Sequence, residues 1–217
     1  MVWQLTDDPI LFPDPHYGEP DGLIAVGGDL TPERLTIAYC NGIFPWYGFK
    51  ERDDIMWWCP LDRFVIFPKE IHISHSMRQL IKKGTYDVTI NEAFDKVIEN
   101  CSKADERNKQ CGAWLGRDMI KAYKEMHKLG LAASVEVWDK ERNIVGGLYG
   151  INIGNNFFGE SMFSLVPSAS KLALITLAQT LEPLGGIIDC QFETDHLKSM
   201  GGRHITYDEY MKYLELE

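Results

Sequence analysis

Two short stretches bring together side chains that can do chemistry. G-E-S-M-F-S (159–164) sets an acid, Glu160, among Phe157, Phe158, Met162 and Phe163, and I-D-C-Q (188–191) sets Asp189, Cys190 and Gln191 in consecutive positions. An acid beside apolar neighbours is unfavourable unless something holds it. Glu160 is therefore either half of a structural ion pair or a working group. Period-two alternation puts Glu160, Phe158 and Met162 on one strand face, and Phe157, Ser161 and Phe163 on the other. The same rule puts Asp189 and Gln191 on one face and turns Cys190 away. Asp189 has a plainer reading as a cap or salt-bridge partner. Cys190 reads as a small core residue, since a reactive thiol needs a lowered pKa and a base, and only His196 is at hand. A glutamine amide is no base at neutral pH, so Gln191 can orient an amine or hydrogen-bond a developing oxyanion.

Aromatic and cationic residues form a second set. Trp46, Trp57, Trp58 and Trp114 are suited to stacking on a nucleobase, or to stapling a small domain that has little regular structure. The second reading is preferred for Trp57, Trp58 and Trp114. A helix expected over 74–83 carries His75, Arg78 and Lys82 at i, i+3 and i+7, hence on one face, with Lys83 beside them. Such a face either holds phosphates or is simply solvated.

The elements that must position these residues follow from periodicity and punctuation. Residues 1–60 are rich in Pro, Gly and Trp and show one clear helix, capped by Asp29 or Thr31, with Pro32 in its first turn and Gly42 past its end. The remainder of that stretch is expected as turns and short extended pieces. Beyond it, 63–67 reads as a strand, 86–90 as another, and Asn91 as the cap of a helix reaching about Asn100. A charged loop is expected over 103–110 and a helix over 117–128. Three antiparallel strands then precede a long apolar helix opened by Ser168 or Ser170, a strand through Asp189, and a last helix over 206–214. The reading is α+β: a small aromatic-rich domain, 1–60, then a mixed domain, 61–217, built on a mainly antiparallel sheet.

Composition narrows the function classes. The 217 residues are 45% hydrophobic and 25% charged, as in a globular protein. A net charge of −10 argues against broad nucleic-acid binding and leaves room only for a local basic patch. Five cysteines without a C-x-x-C point to neither a metal site nor a disulfide framework, and fit a reducing cytoplasm. A start of M-V-W-Q-L-T-D-D-P is not that of a signal peptide, and no run is long enough to span a membrane.

The order strand, strand, helix, strand between 132 and 191 resembles the acetyltransferase superfamily, so the second domain is expected to be GNAT-like. Those enzymes hold the pyrophosphate of acetyl-CoA on a Gly-rich turn at a helix N-terminus. Here that place reads L-V-P-S-A-S-K-L, without glycine and with Pro167 removing a donor. More specific are six motifs in order: G-L-I-A-V-G-G-D-L-T-P (22–32), Y-C-N-G-I-F-P-W (39–46), W-W-C-P (57–60), V-G-G-L-Y-G (145–150), G-E-S-M-F-S and I-D-C-Q. Together they resemble the leucyl/phenylalanyl-tRNA–protein transferases over nearly the whole chain.

That resemblance implies a cytosolic enzyme of the N-degron pathway, needing no cofactor and no metal. It would move Leu or Phe, with Met as a further donor, from aminoacyl-tRNA to the α-amine of proteins beginning with Arg or Lys. A monomer without membrane contact is expected. It implies catalytic roles for Glu160, Asp189 and Gln191, and a donor pocket walled by Trp46, Leu148, Phe157, Leu177 and Leu181, with Tyr39 near the terminal nucleotide. It implies tRNA contacts from His75, Arg78, Lys82 and Lys83, and His75 stands where the family has Arg. Leu148 replaces a Met common in the family, and Leu177 and Leu181 replace aromatics. Two other readings compete: a CoA-dependent N-acyltransferase and a non-catalytic RNA- or peptide-binding module.

Overall fold

The computed structural model describes residues 2–47, 54–107 and 115–215. Trp114, the charged segment from 108 and Cys111 lie outside them. The elements run β1 (Trp3–Leu5), β2 (Leu23–Gly27), α1 (Pro32–Cys40), β3 (Phe44–Tyr47), β4 (Ile55–Trp58), β5 (Asp62–Ile66), α2 (His75–Lys83), β6 (Asp87–Ile90), α3 (Phe94–Arg107) and α4 (Arg117–Lys128). They continue β7 (Ala132–Trp138), β8 (Ile144–Ile153), β9 (Asn156–Ser164), α5 (Ala169–Leu181), β10 (Ile188–Asp189), α6 (Asp195–Ser199), β11 (Arg203–Thr206) and α7 (Tyr207–Leu214).

The Pro- and Gly-rich start is more regular than the sequence suggested. It forms a four-stranded sheet in the order β1-β2-β4-β3. Strands of three to five residues are too short for alternation to show, so this sheet was legible only as extended pieces. Its G-G-D-L-T-P segment is a folding device. Asp29 accepts hydrogen bonds from Thr31 and from buried Arg34, whose guanidinium also donates to the carbonyls of Thr6 and Asp7. The Thr31 hydroxyl caps α1 at the Arg34 N–H.

The larger sheet has the order β11-β5-β10-β9-β8-β7-β6, and only β10–β9 is a parallel pair within it. One face carries α5 and α2; the other carries α3 and α4, where its core merges with that of the small sheet through Ile24, Tyr39, Tyr123 and Tyr210. The structure departs from expectation at α3, which runs to Arg107 through part of the supposed loop. Lys, Ala, Glu and Arg are good helix formers, and charge alone does not end a helix. Asn91 is no cap: its backbone is left-handed at φ 60° and its side chain accepts from the Ser134 N–H.

Candidate active site

Alternation fails at Glu160. Along β8 and β9, Tyr149 pairs Ser161 and Gly150 pairs Gly159, so Glu160 is the extra residue of a β-bulge. The bulge reverses the side-chain faces downstream of it. Phe158 and Phe163 therefore share the core beneath α3 and α4, while Phe157 and Met162 share the one beneath α5. This corrects the expectation that grouped Phe158 with Met162. Gly150 permits the bulge, because a Cβ there would run into the Phe158 carbonyl and the Phe157 ring.

The bulged Glu160 is buried and fully engaged. Its carboxylate accepts hydrogen bonds from the Tyr39 hydroxyl (2.7 Å), the Tyr123 hydroxyl (2.7 Å) and the Gln191 amide (3.1 Å). The two phenolic oxygens are 2.9 Å apart. Burial pushes the Glu160 carboxyl up to about 7, against the stabilising bonds from Tyr123, Tyr39 and Gln191 and with help from the charge of Asp189. Burial and the Glu160 charge push both phenols well above the ordinary tyrosine value, so they remain neutral donors.

Asp189 is fully buried and does not face the cavity described below. Arg63 of β5 donates to it from Nε (3.0 Å to each oxygen) and Nη2 (2.7 Å), Tyr210 of α7 donates from its hydroxyl (2.6 Å), and the Gln191 backbone N–H donates at 2.8 Å. The Arg63 guanidinium lies between the rings of Phe44 and Tyr210, 4.8 and 4.9 Å from their centroids. Burial disfavours the charge on Arg63, but Asp189 outweighs it and the guanidinium pKa rises. The strand ends at Asp189. Gln191 then takes φ +64°, and the Phe192 N–H bonds the Cys190 carbonyl (2.7 Å) to close a three-residue turn. That turn corrects the second alternation reading, since Cys190 and Gln191 both line the cavity while Asp189 stands behind it. The Cys190 thiol is pushed up by burial and by the Asp189 charge, so it stays protonated.

β9 and β10 pair only at Phe157/Ile188 and Phe158/Asp189 and then part, β9 continuing to Ser164. A cavity of about 370 Å³ fills the gap. Leu148, Phe157, Leu174, Leu177 and Ile188 make its apolar wall, Glu160 and Gln191 its polar one, and Phe44, Trp46 and Phe192 an aromatic one. Trp46 and Phe192 lie 5.6 Å apart, each also touching Trp58. Two residues expected in or near the pocket do not line it: Leu181 is buried in the core beneath α5, and Tyr39 sits behind Glu160. Trp57 is a core residue with its indole N–H on the Gly27 carbonyl. His196 lines the cavity, and its buried Nε2 has no hydrogen-bond partner among the described residues.

His75, Arg78, Lys82 and Lys83 are all exposed on α2, capped by Ser74 and ended by left-handed Gly84. None lines the cavity, and among the described residues Arg78, Lys82 and Lys83 have no ion-pair partner. No cluster of three His, Cys, Asp or Glu among the described residues is arranged to hold a metal.

Three residues of this site escaped sequence reasoning. Tyr123 reads as one more core member of the α4 face made by Met119, Ala122 and Met126. Tyr210 reads likewise in α7. Arg63 did leave a signal, a cation at the head of the apolar run F-V-I, which asks for a buried acid opposite.

Fold and site together define an α+β protein with an apolar cavity that ends on a carboxylate and a carboxamide, the carboxylate backed by two phenols. The leucyl/phenylalanyl-tRNA protein transferase description matches residues 65–215, and that of the family's N-terminal domain matches residues 28–61. Proteins called leucyl/phenylalanyl-tRNA–protein transferase are similar throughout. One from Maridesulfovibrio salexigens is 46% identical, covering 99% of this chain and 88% of that protein. One from Flavobacterium psychrophilum is 47% identical, covering 94% and 95%. The chain belongs to the leucyl/phenylalanyl-tRNA–protein transferase family. Among solved structures, a conserved protein of unknown function from Bacteroides thetaiotaomicron overlays 71% of this chain and 55% of its own, at 11% identity and a TM-score of 0.47.

Proposed function

We propose that this aminoacyltransferase moves Leu or Phe, with Met as a further donor, from aminoacyl-tRNA to the α-amine of proteins that begin with Arg or Lys. In the cell this would mark them for the N-degron pathway in the cytoplasm, and the chain would act as a monomer. No described helix is long and apolar enough to cross a membrane. The observation that supports the reading most is the cavity between the parting strands β9 and β10, apolar along Leu148, Phe157 and Leu177 and closed by Glu160 and Gln191. An unbranched-at-Cβ apolar side chain fits such a wall, while its ester lies at the polar end.

In the reaction the acceptor nitrogen attacks the ester carbonyl, a C–N bond forms, the bond from carbonyl carbon to ribose oxygen breaks, and a proton ends on that oxygen. The ester is already activated, so holding the two reactants together supplies most of the rate, up to roughly 7–11 kcal/mol in favourable cases. Gln191 hydrogen-bonds the amine or the oxyanion. Glu160, titrating near neutrality, takes a proton or pairs with the acceptor's cation. Asp189 works at one remove, orienting Gln191 through its backbone N–H. Trp46 stacks on the terminal adenine, and the exposed cations of α2 hold tRNA phosphates.

We also take 1–60 as a separate small domain and 61–217 as GNAT-like, a reading supported by the parallel strand pair that opens into a cleft. CoA chemistry finds little support at α5. Its first amides are already used, Ala169 N–H on the Val166 carbonyl and Ser170 N–H on the Ser164 hydroxyl. Incubating the protein with labelled Leu-tRNA, or labelled acetyl-CoA, and a peptide beginning with Arg tests the proposal. Label should pass only from the tRNA, and transfer only from acetyl-CoA, or from neither, would refute it.

A further inference from the structure

Gln191 holds a backbone conformation that non-glycine residues rarely adopt. A positive φ at a side-chain-bearing residue in a three-residue turn stores strain, and it persists only where the surroundings impose it. The surroundings here are specific. Asp189 Oδ1 accepts the Gln191 N–H at 2.8 Å, and the Cys190 N–H bonds the Phe64 carbonyl at 2.9 Å. Asp189 is itself pinned by the two-nitrogen grip of Arg63 and by the Tyr210 hydroxyl, all three side chains having no exposure at all. Gly42 leaves the room that the Tyr210 ring occupies, because a Cβ there would stand 2.6 Å from it.

A bare salt bridge between sheet strands would need none of this. A fully buried ion pair is often no better for stability than apolar residues of the same shape, so its retention asks for another reason. The reason the geometry offers is the Gln191 turn, which brings the carboxamide to within 3.1 Å of Glu160. Resting on the proposed role of Gln191, we infer that Arg63 and Tyr210 are positioning residues for the transfer reaction: through Asp189 they hold Gln191 in its strained turn and so aim its carboxamide into the cavity. The device ties three distant parts of the chain to one amide: β5 through Arg63, α7 through Tyr210 and the small sheet through Phe44, whose ring lies against Arg63 and also lines the cavity.

Tyr210→Phe keeps the ring and removes the hydroxyl with its bonds to Asp189 and from Arg63, and Arg63→Lys keeps the charge and removes the two-nitrogen grip, so both are milder than truncation. In each, kcat should fall roughly tenfold to a hundredfold, the scale of a slightly misplaced reacting group, with KM for aminoacyl-tRNA nearly unchanged. In a Gln191→Ala background the same substitutions should lower kcat no further, though they still lower Tm. Amide hydrogen exchange should speed up at 190–192 while β8 and β9 stay protected, a readout that needs no activity. Full kcat in either folded variant, additive losses in the Gln191→Ala background, or unaltered exchange at 190–192 would each overturn the inference. A wild-type protein that transfers nothing would instead sink the proposed function, and the exchange measurement would still decide whether the clamp holds the turn.

Discussion

Replacing Glu160 by glutamine gives a sharp test of how that carboxyl is held. In the folded protein the group titrates near about 7 rather than the ordinary 4.5, because burial penalises its charged form more than three hydrogen bonds repay. A folded-state pKa above the unfolded one means that the native state favours the proton. The stabilising contribution is therefore complete below pH 4.5 and disappears as pH rises through 7. At 1.36 kcal/mol per pKa unit, full ionisation of the native carboxyl corresponds to about 3 kcal/mol, of which about 2.5 kcal/mol falls between pH 5 and pH 8. The carboxamide of Glu160→Gln does not titrate. The gap between variant and wild-type unfolding free energy should therefore move in favour of the variant by that amount over this range. Any fixed effect of exchanging an oxygen for an NH₂, which Tyr39 and Tyr123 can accommodate by rotating their hydroxyls, shifts the whole curve and leaves the slope alone. Urea unfolding followed by tryptophan fluorescence at pH 5, 6, 7 and 8 measures it. A difference that stays flat with pH, or slopes the other way, would refute the argument that Glu160 is a desolvated carboxyl titrating near neutrality.

Four further outcomes follow from the geometry. Arg78→Glu with Lys82→Glu should raise KM for aminoacyl-tRNA and flatten its salt dependence, while KM for an aminoacyl-adenosine donor stays put; equal effects on both donors would remove α2 from the tRNA site. Leu148→Phe should reduce Phe transfer about tenfold or more relative to Leu transfer, since added volume excludes the bulkier group first. Leu181→Phe should leave that ratio nearly unchanged, because Leu181 does not line the cavity, and a matching change in donor preference would contradict the lining described. Asp189→Asn should lower both kcat and stability, the latter by about 3–5 kcal/mol, because it leaves buried Arg63 without its counter-charge; thermal unfolding and turnover on one preparation check both effects.

How far the sequence could lead is clear from particular elements. The meander of β7, β8 and β9 was legible because seven to ten residues give alternation time to show, and α1 and α2 were legible from Thr31, Pro32, Ser74 and Gly84. The Glu160 bulge was not legible, since a bulge is decided between two strands and depends on Gly150 opposite. Nor was the Gln191 turn, because a positive φ at glutamine has no local signature, and the Arg63 and Tyr210 side chains that hold Asp189 beside it come from distant parts of the chain. The candidate site residues were named from motifs. Their faces, and the difference between Asp189 behind the wall and Gln191 in front of it, came only with tertiary structure.

The central claim is that amide formation takes place in this cavity under the hand of Gln191. Single-turnover transfer from Leu-tRNA to a peptide beginning with Arg, comparing wild type with a folded Gln191→Ala variant and identifying the product by mass, tests it most directly. The account predicts one leucine added at the peptide α-amine by the wild type, and a rate lower by at least about tenfold in the variant with tRNA binding intact. An unchanged single-turnover rate in Gln191→Ala, or a wild-type protein that binds Leu-tRNA and leaves the peptide unmodified, would contradict it.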